Sequence, residues 1–291
     1  MKKRLLFIPQ DYHLRPNEAW FNAFNEYFEC EYLVSIDQAK YFNPDYVFMQ
    51  SMAITPDELD QIPGIKMQWT GDCRTWALNE VINTPADITF LASGIAQKEL
   101  YEPLLGHNVH YLQHAAHEFR EVNTDAKDVI FVGNNYNQFS GALERTELCE
   151  TLTREFDDFK VYGSGYDLPQ YRSAGTVPYK QVADLYNSAY IAISASIYND
   201  LEGYWSNRPL DIMAAGCCCL TRYSPWATDW FKDGIDCLYY KSASEAIDQI
   251  DYLKRNPDIR NMIAKNGQET VRKYHTYQYR VKQIIEVLKE Y

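Results

Sequence analysis

Short apolar runs separated by amphipathic segments recur along the whole chain, and this alternation leaves few folds open. Residues 4–9 (RLLFIP), 31–34, 46–49, 66–70, 87–91 and 108–112 read as strands. Between them, residues 17–28 set Trp20, Phe21, Phe24, Tyr27 and Phe28 at helical spacing, and Ile95–Leu105 is the clearest further helix. A strand covered on both faces is apolar throughout, and a helical crossover lays the next strand parallel to it. The pattern pauses over the polar residues 118–128 and starts again. Strands are predicted at Val129–Val132, Phe159–Tyr162, 190–194, 217–220 and 236–240, with helices over 141–156, 178–188, 244–254 and 257–273. A last amphipathic helix over 277–291 carries Val281, Ile284, Ile285 and Leu288 on one face. The prediction is an α/β protein of two successive parallel-sheet units, 1–117 and 118–275, plus a terminal helix, 276–291. Ligands bind beyond the carboxyl ends of strands in such sheets, which singles out the loops after Val132, Tyr162 and Ser194.

With 291 residues the chain has room for two domains, and 46% hydrophobic against 23% charged residues makes it globular. The net charge of −12, with no Lys/Arg cluster beyond Lys2-Lys3-Arg4, disfavours nucleic acid as a partner. None of the seven cysteines forms a C-x-x-C pair, and three of them sit consecutively in an apolar run. They read as small buried residues of a reducing compartment, not as zinc ligands. No secretory signal and no membrane-spanning apolar stretch is visible, so a cytoplasmic protein is expected. The 24 tyrosines suit a carbohydrate or nucleotide cleft, and they suit a core equally well.

The most specific stretch is Asn207-Arg208-Pro209-Leu210-Asp211-Ile212-Met213-Ala214-Ala215-Gly216, followed by Cys217-Cys218-Cys219-Leu220. It reads as a helix capped by Asn207, with Pro209 in its first turn and Gly216 at its end. A helix start offers N–H groups and a positive dipole end to an anion, and Asp211 beside it can accept hydrogen bonds from sugar hydroxyls. A diphosphate and a ribose fit that pair of features. An ordinary capped helix with a surface Asp is the plainer alternative.

The order of elements in the second half resembles the GT-B glycosyltransferases, and more narrowly the CgeB-like group, whose carboxyl domain is of the family-four type. The resemblance is carried by Phe131-Val132-Gly133-Asn134 with Arg145 downstream, Val161-Tyr162-Gly163-Ser164-Gly165, Val177-Pro178-Tyr179, Leu185-Tyr186-Asn187-Ser188-Ala189 and the Asn207 stretch. Phe231-Lys232-Asp233-Gly234 and His275-Thr276-Tyr277 with Arg280 complete it, while Trp69-Thr70-Gly71-Asp72 and Tyr111-Leu112-Gln113-His114-Ala115 match loosely in the amino half. It implies two Rossmann-like domains facing across a cleft, with the terminal helix packing back on the first. It also implies transfer of a sugar from a nucleoside-diphosphate donor, UDP favoured, to an unknown acceptor, with no metal or other cofactor required. Asp211 would hold the donor ribose, although the family's usual residue is Glu. The earlier Glu of retaining relatives falls here on Gly203, with Glu202 one step off.

Such a transfer builds charge on the departing diphosphate and an oxocarbenium-like sugar, so fixed positive groups should carry catalysis. Arg145, Arg208 and the helix start at Asn207 are the diphosphate candidates, since an Arg fork matches two phosphate oxygens. Gly133, Asn134 and Gly163 would let backbone approach the donor, and Tyr179 would support its base. Asp72 is the first choice for a base on the acceptor, followed by Asp11 and His13, and His114 could contact the donor sugar or phosphate. A nucleotide-sugar epimerase and a non-catalytic sugar or nucleotide binder share the fold and stay open as alternatives.

Overall fold

The computed structural model describes residues 2–9, 17–50, 54–72, 79, 81–135, 141–196, 198 and 201–291. Asp11, His13 and Cys73 lie outside the described residues. The chain divides into two compact units, one of Met1–His114, Leu201–Tyr204 and Tyr277–Tyr291, the other of Ala115–Asp200 and Trp205–Thr276.

The first unit holds β1 (Arg4–Ile8), β2 (Glu29–Tyr32), β3 (Tyr46–Gln50), β4 (Ile65–Thr70), β5 (Ile88–Leu91) and β6 (Val109–Tyr111) in one sheet, ordered β2-β1-β3-β4-β5-β6. Every neighbouring pair is parallel. The crossovers run through α1 (Asn17–Asn25), α2 (Ile36–Phe42), α3 (Pro56–Leu59) and α4 (Ile95–Leu105). Local chemistry fixes their starts: Ser35 accepts from the Gln38 N–H ahead of α2, and Thr55 with Glu58 forms a reciprocal box ahead of α3. Alternation along the strands sends Leu6, Ile8, Val47 and Met49 to one core, shared with Ala39, Phe42, Leu59 and Ile62. The opposite face carries Phe7 and Phe48, which pack with Trp20 and Phe24 of α1. Trp20 also meets Trp69 and Tyr277.

One strand departs from the expectation. β2 lies two residues earlier than 31–34, with Glu29 beside Arg4. As an edge strand of sequence ECEY with alternate residues exposed, it carries little apolar signal to place it.

The second unit holds β7 (Val129–Val132), β8 (Phe159–Tyr162), β9 (Ile191–Ser194), β10 (Cys218–Arg222) and β11 (Leu238–Tyr240), all parallel, in the order β11-β10-β9-β7-β8. Around it run α5 (Ala142–Glu155), α6 (Tyr179–Ser188), α7 (Arg208–Ala214), α8 (Ala243–Arg255) and α9 (Pro257–Tyr274), while α10 (Tyr277–Val287) belongs to the first unit. Val129, Phe131, Ile191 and Cys218 face α5, α8 and α9; Ile130, Ala192, Cys217 and Cys219 face α6 and α7. The cysteine run is thus split between two cores, and burial pushes the Cys149 and Cys218 thiols up to about 12. α7 ends as expected: Gly216, at φ 72°, donates to the Met213 carbonyl and Cys217 to that of Ile212. Among the described residues, no helix is long and apolar enough to cross a membrane.

Candidate active site

In the second sheet the chain order reverses between β7 and β9, where β8 lies to one side and β9 to the other. Open parallel sheets split apart at such a point and leave a crevice. Two arginines meet there. Arg208, first residue of α7, donates from Nε to the Val132 carbonyl at 2.7 Å and from Nη1 to the Ala195 carbonyl at 3.1 Å. Arg145, from α5, donates to the same Ala195 carbonyl from Nη2 at 2.6 Å and Nε at 3.1 Å, and to the Asn134 carbonyl from Nη1 at 2.8 Å. Both guanidiniums lie within 6 Å of the Phe131 ring centroid, at 5.6 Å for Arg145 and 5.4 Å for Arg208. Two like charges so close repel, and an anion relieves that repulsion.

The two arginines differ in reach. Arg145 is 3% exposed and its fork is committed to loop carbonyls. Its sequence neighbour Glu144 pairs with Arg222. Arg208 is half-buried, and among the described residues its Nη2 donates to nothing.

The glycines make this packing possible. A Cβ on Gly133 would stand 2.7 Å from Arg208 Nη2. Gly163, at φ 142°, presses so close to the Gly133 carbonyl that a Cβ would meet its oxygen at 2.2 Å. Gly133 N–H donates to the Tyr162 carbonyl, and the Asn134 side chain accepts from Ser164 N–H at 3.0 Å. The two loops thus brace each other at the sheet edge. The sequence points to glycines that approach a ligand; the structure shows glycines that let Arg208 and a neighbouring loop approach.

Asn207 requires a correction. It heads α7 with φ −65° and ψ −22°, and its side chain caps no N–H. Capping needs an extended residue whose side chain turns back to the helix start. Its amide instead donates to Asp211 Oδ2 at 2.8 Å. Asp211 is half-buried, and burial raises its pKa to about 7, against the opposing pull of Arg208 and the Asn207 hydrogen bond. Tyr179 starts α6 in the same electrostatic neighbourhood: burial raises its pKa, and the Asp211 and Glu118 carboxylates add to the rise. Sequence reading missed Ala195 and Glu118. The first could have been found as the residue just beyond a strand at the switch point.

In the first unit two candidates, His114 and Asp72, lie at the carboxyl edge of its sheet. His114 Nε2 lies 3.1 Å from the Gly71 carbonyl, next to Asp72. A neutral ring there carries its proton on Nε2, since a carbonyl can only accept. The Trp69 ring meets the imidazole edge-on at 5.5 Å, and a Cβ on Gly71 would stand 2.2 Å from His114 Cε1. Asp72 N–H donates to Thr70 Oγ1 at 3.3 Å. Among the described residues, no three of His, Cys, Asp and Glu cluster as a metal-holding group.

Residues 145–286 match the family model described as glycosyl transferase-like. No curated protein sequence matches the chain. Solved structures resemble it over nearly its whole length. Sucrose-phosphate synthase from Thermosynechococcus elongatus has a TM-score of 0.63 at 11% identity, over 99% of each chain. Anabaena HepE, in complex with UDP and glucose, has 0.62 at 10%, over 99% of this chain and 100% of that one. An alpha-glucosyltransferase in complex with UDP and a 13-mer DNA containing an HMU base has 0.73 at 9%, again over 99% and 100%. The fold is that of the GT-B glycosyltransferases.

Proposed function

We propose that this chain is a glycosyltransferase, of the CgeB-like kind that its motifs resemble, which moves a sugar from a UDP-linked donor to an acceptor. The convergence of Arg208 and Arg145 over Phe131 at the switch point of the second sheet carries this reading. Breaking the anomeric carbon–phosphate oxygen bond leaves charge on the diphosphate and an oxocarbenium-like sugar. Fixed donors aimed at that charge lower the barrier without reorganising. Arg208 meets the diphosphate with its uncommitted Nη2 edge, and Arg145 holds the Asn134 and Ala195 carbonyls that shape the loop. Asp211 accepts from the donor ribose, steadied by Asn207; Tyr179 supports the base; Gly133, Asn134 and Gly163 line the approach. Asp72 takes the acceptor's proton and His114 contacts the donor sugar or phosphate. The guanidinium charge replaces a metal, so transfer persists in EDTA.

UDP is favoured because HepE and the alpha-glucosyltransferase were solved with it. A net charge of −12 disfavours the DNA that the latter also holds. The test is thermal unfolding with UDP, UDP-glucose and GDP, paired with Arg208→Gln. A uridine nucleotide at 100 times its Kd adds about 2.7 kcal/mol of stability. Arg208→Gln removes that gain and lowers transfer by roughly 100-fold or more. No shift with any nucleotide sinks the reading; full transfer by the variant sinks the site.

A further inference from the structure

We infer that Arg280, on the terminal helix α10, is a positioning residue for His114. The inference rests on the reading of His114 as a group that meets substrate. Arg280 is 3% exposed, and burial pulls its pKa down to about 10, so the fold keeps a cation where water would hold it better. Nε and Nη2 both reach one short loop. Nε donates to the carbonyls of Gln113 at 2.9 Å and His114 at 3.0 Å, and Nη2 donates to that of His114 at 2.9 Å. Nη1 donates to Gln283 Oε1 at 3.0 Å, one turn along the same helix, which fixes the fork's direction.

Successive carbonyls of an extended strand point to opposite sides. One guanidinium reaches both only if the chain turns as it leaves β6, and that turn is what swings the His114 ring back against Gly71. The side chain of Gln113 closes the arrangement from the other direction. Its Oε1 accepts from His114 N–H at 2.7 Å, and its Nε2 donates to Tyr111 Oη at 3.0 Å. The loop is thus clamped at its amide by Gln113 and at its carbonyls by Arg280. The ring is clamped by the Gly71 carbonyl and the edge-on Trp69. Every one of these groups lies in the first unit. A lysine cannot reproduce the fork, because it is a point charge with no fixed pair of N–H directions.

The experiment compares Arg280→Lys with Val281→Ala, which removes packing from a fully buried neighbour on the same helix and leaves the guanidinium. Imidazole carbon–proton spectra resolve the six histidines, and His114→Gln assigns the one that matters. In the full-length protein, Arg280→Lys moves the His114 ring resonances and its titration midpoint. It lowers kcat for sugar transfer by about tenfold or more and leaves the donor KM within twofold. Val281→Ala lowers the melting temperature without moving either the His114 signals or kcat. The inference is overturned if Arg280→Lys leaves the His114 resonances in place, or if Val281→Ala moves them equally. The functional reading fails separately. If His114→Gln transfers sugar at the native rate, His114 does not meet substrate, and the spectra alone still decide whether Arg280 sets its position.

Discussion

At the carboxyl edge of the second sheet, two guanidiniums gather over Phe131 and share the Ala195 carbonyl; at the same edge of the first sheet, an imidazole sits between Trp69 and the Gly71 carbonyl. Parallel strands leading into short loops build both edges. One is filled with charge that no accessible pH removes, the other with groups that can titrate. Each edge nevertheless contains a buried arginine that reads two backbone carbonyls, Arg145 those of Asn134 and Ala195, Arg280 those of Gln113 and His114. The lesson is that a guanidinium at a sheet edge has two uses. A buried one shapes a loop; a half-buried one, such as Arg208, keeps an edge for an anion.

The sharpest way to break this comparison is to remove the close approach on which the second edge depends. Gly163→Ala forces a side chain into φ 142° and puts its Cβ 2.2 Å from the Gly133 oxygen. Strain and the displaced loop together cost about 3 kcal/mol or more. Gly106→Ala is the matched control in the first unit, where φ is 69° and no atom lies within 4 Å of the added Cβ. It costs only about 1 kcal/mol, from backbone strain alone. Urea midpoints of the two variants test this. Equal losses would mean that the contact between the Gly133 and Gly163 loops contributes nothing.

A smaller effect separates the permanent charges of the second edge from the titrating Asp211. Burial raises the Asp211 pKa to about 7, far above the usual carboxylate range. The unfolded chain releases that proton near pH 4, so the folded protein binds the extra proton between about 4 and 7. Stability therefore falls as pH rises through that window and levels off above 7. Asp211→Asn, which cannot ionise, flattens this slope and is the more stable protein at pH 8. The same substitution weakens the donor. In the native protein UDP-glucose binding tightens by about tenfold or less from pH 6 to 8, as the carboxylate becomes the better acceptor for ribose hydroxyls. A calorimetric titration that finds the same pH dependence in the variant removes Asp211 from the donor site.

Much of the scaffold is legible because its strands are apolar on both faces, and an apolar run needs no partner to be recognised. β2 slipped by two residues because an exposed edge strand has no such run. The loops of the second site fell where the strands ended, so Gly133, Gly163 and the α7 start were readable. What Arg145 does was not readable. Its neighbours in sequence are Glu144 and Glu147, which invite a surface pairing, whereas its partner is a carbonyl 50 residues away. Asn207 was misread for a related reason: the residue type suits a cap, but capping depends on φ and ψ, which tertiary packing set otherwise. The meeting of His114 with Gly71 spans 43 residues, and only the parallel register of β4, β5 and β6 creates it.

The smallest predicted effect tests whether the titrating character of the first unit extends below its edge. Gln68 Nε2 donates to Thr89 Oγ1 at 2.8 Å, and the same hydroxyl lies 2.8 Å from His107 Nε2. With a neutral imidazole whose proton sits on Nδ1, the hydroxyl donates and Nε2 accepts. Burial accordingly lowers the His107 pKa below 6.5, by more than the Asp87 carboxylate raises it. His110 is shifted in the same direction by its own burial. The unfolded state then takes up protons near pH 6.5 while the folded state resists until a lower pH. Stability is lost as pH falls through that interval. His107→Gln keeps an acceptor within reach of Thr89 and cannot be protonated. Between pH 7.5 and 5.0 it should lose less urea stability than the native chain, by about 1 kcal/mol or less. Identical losses in the two proteins would show that the Thr89 bond survives protonation.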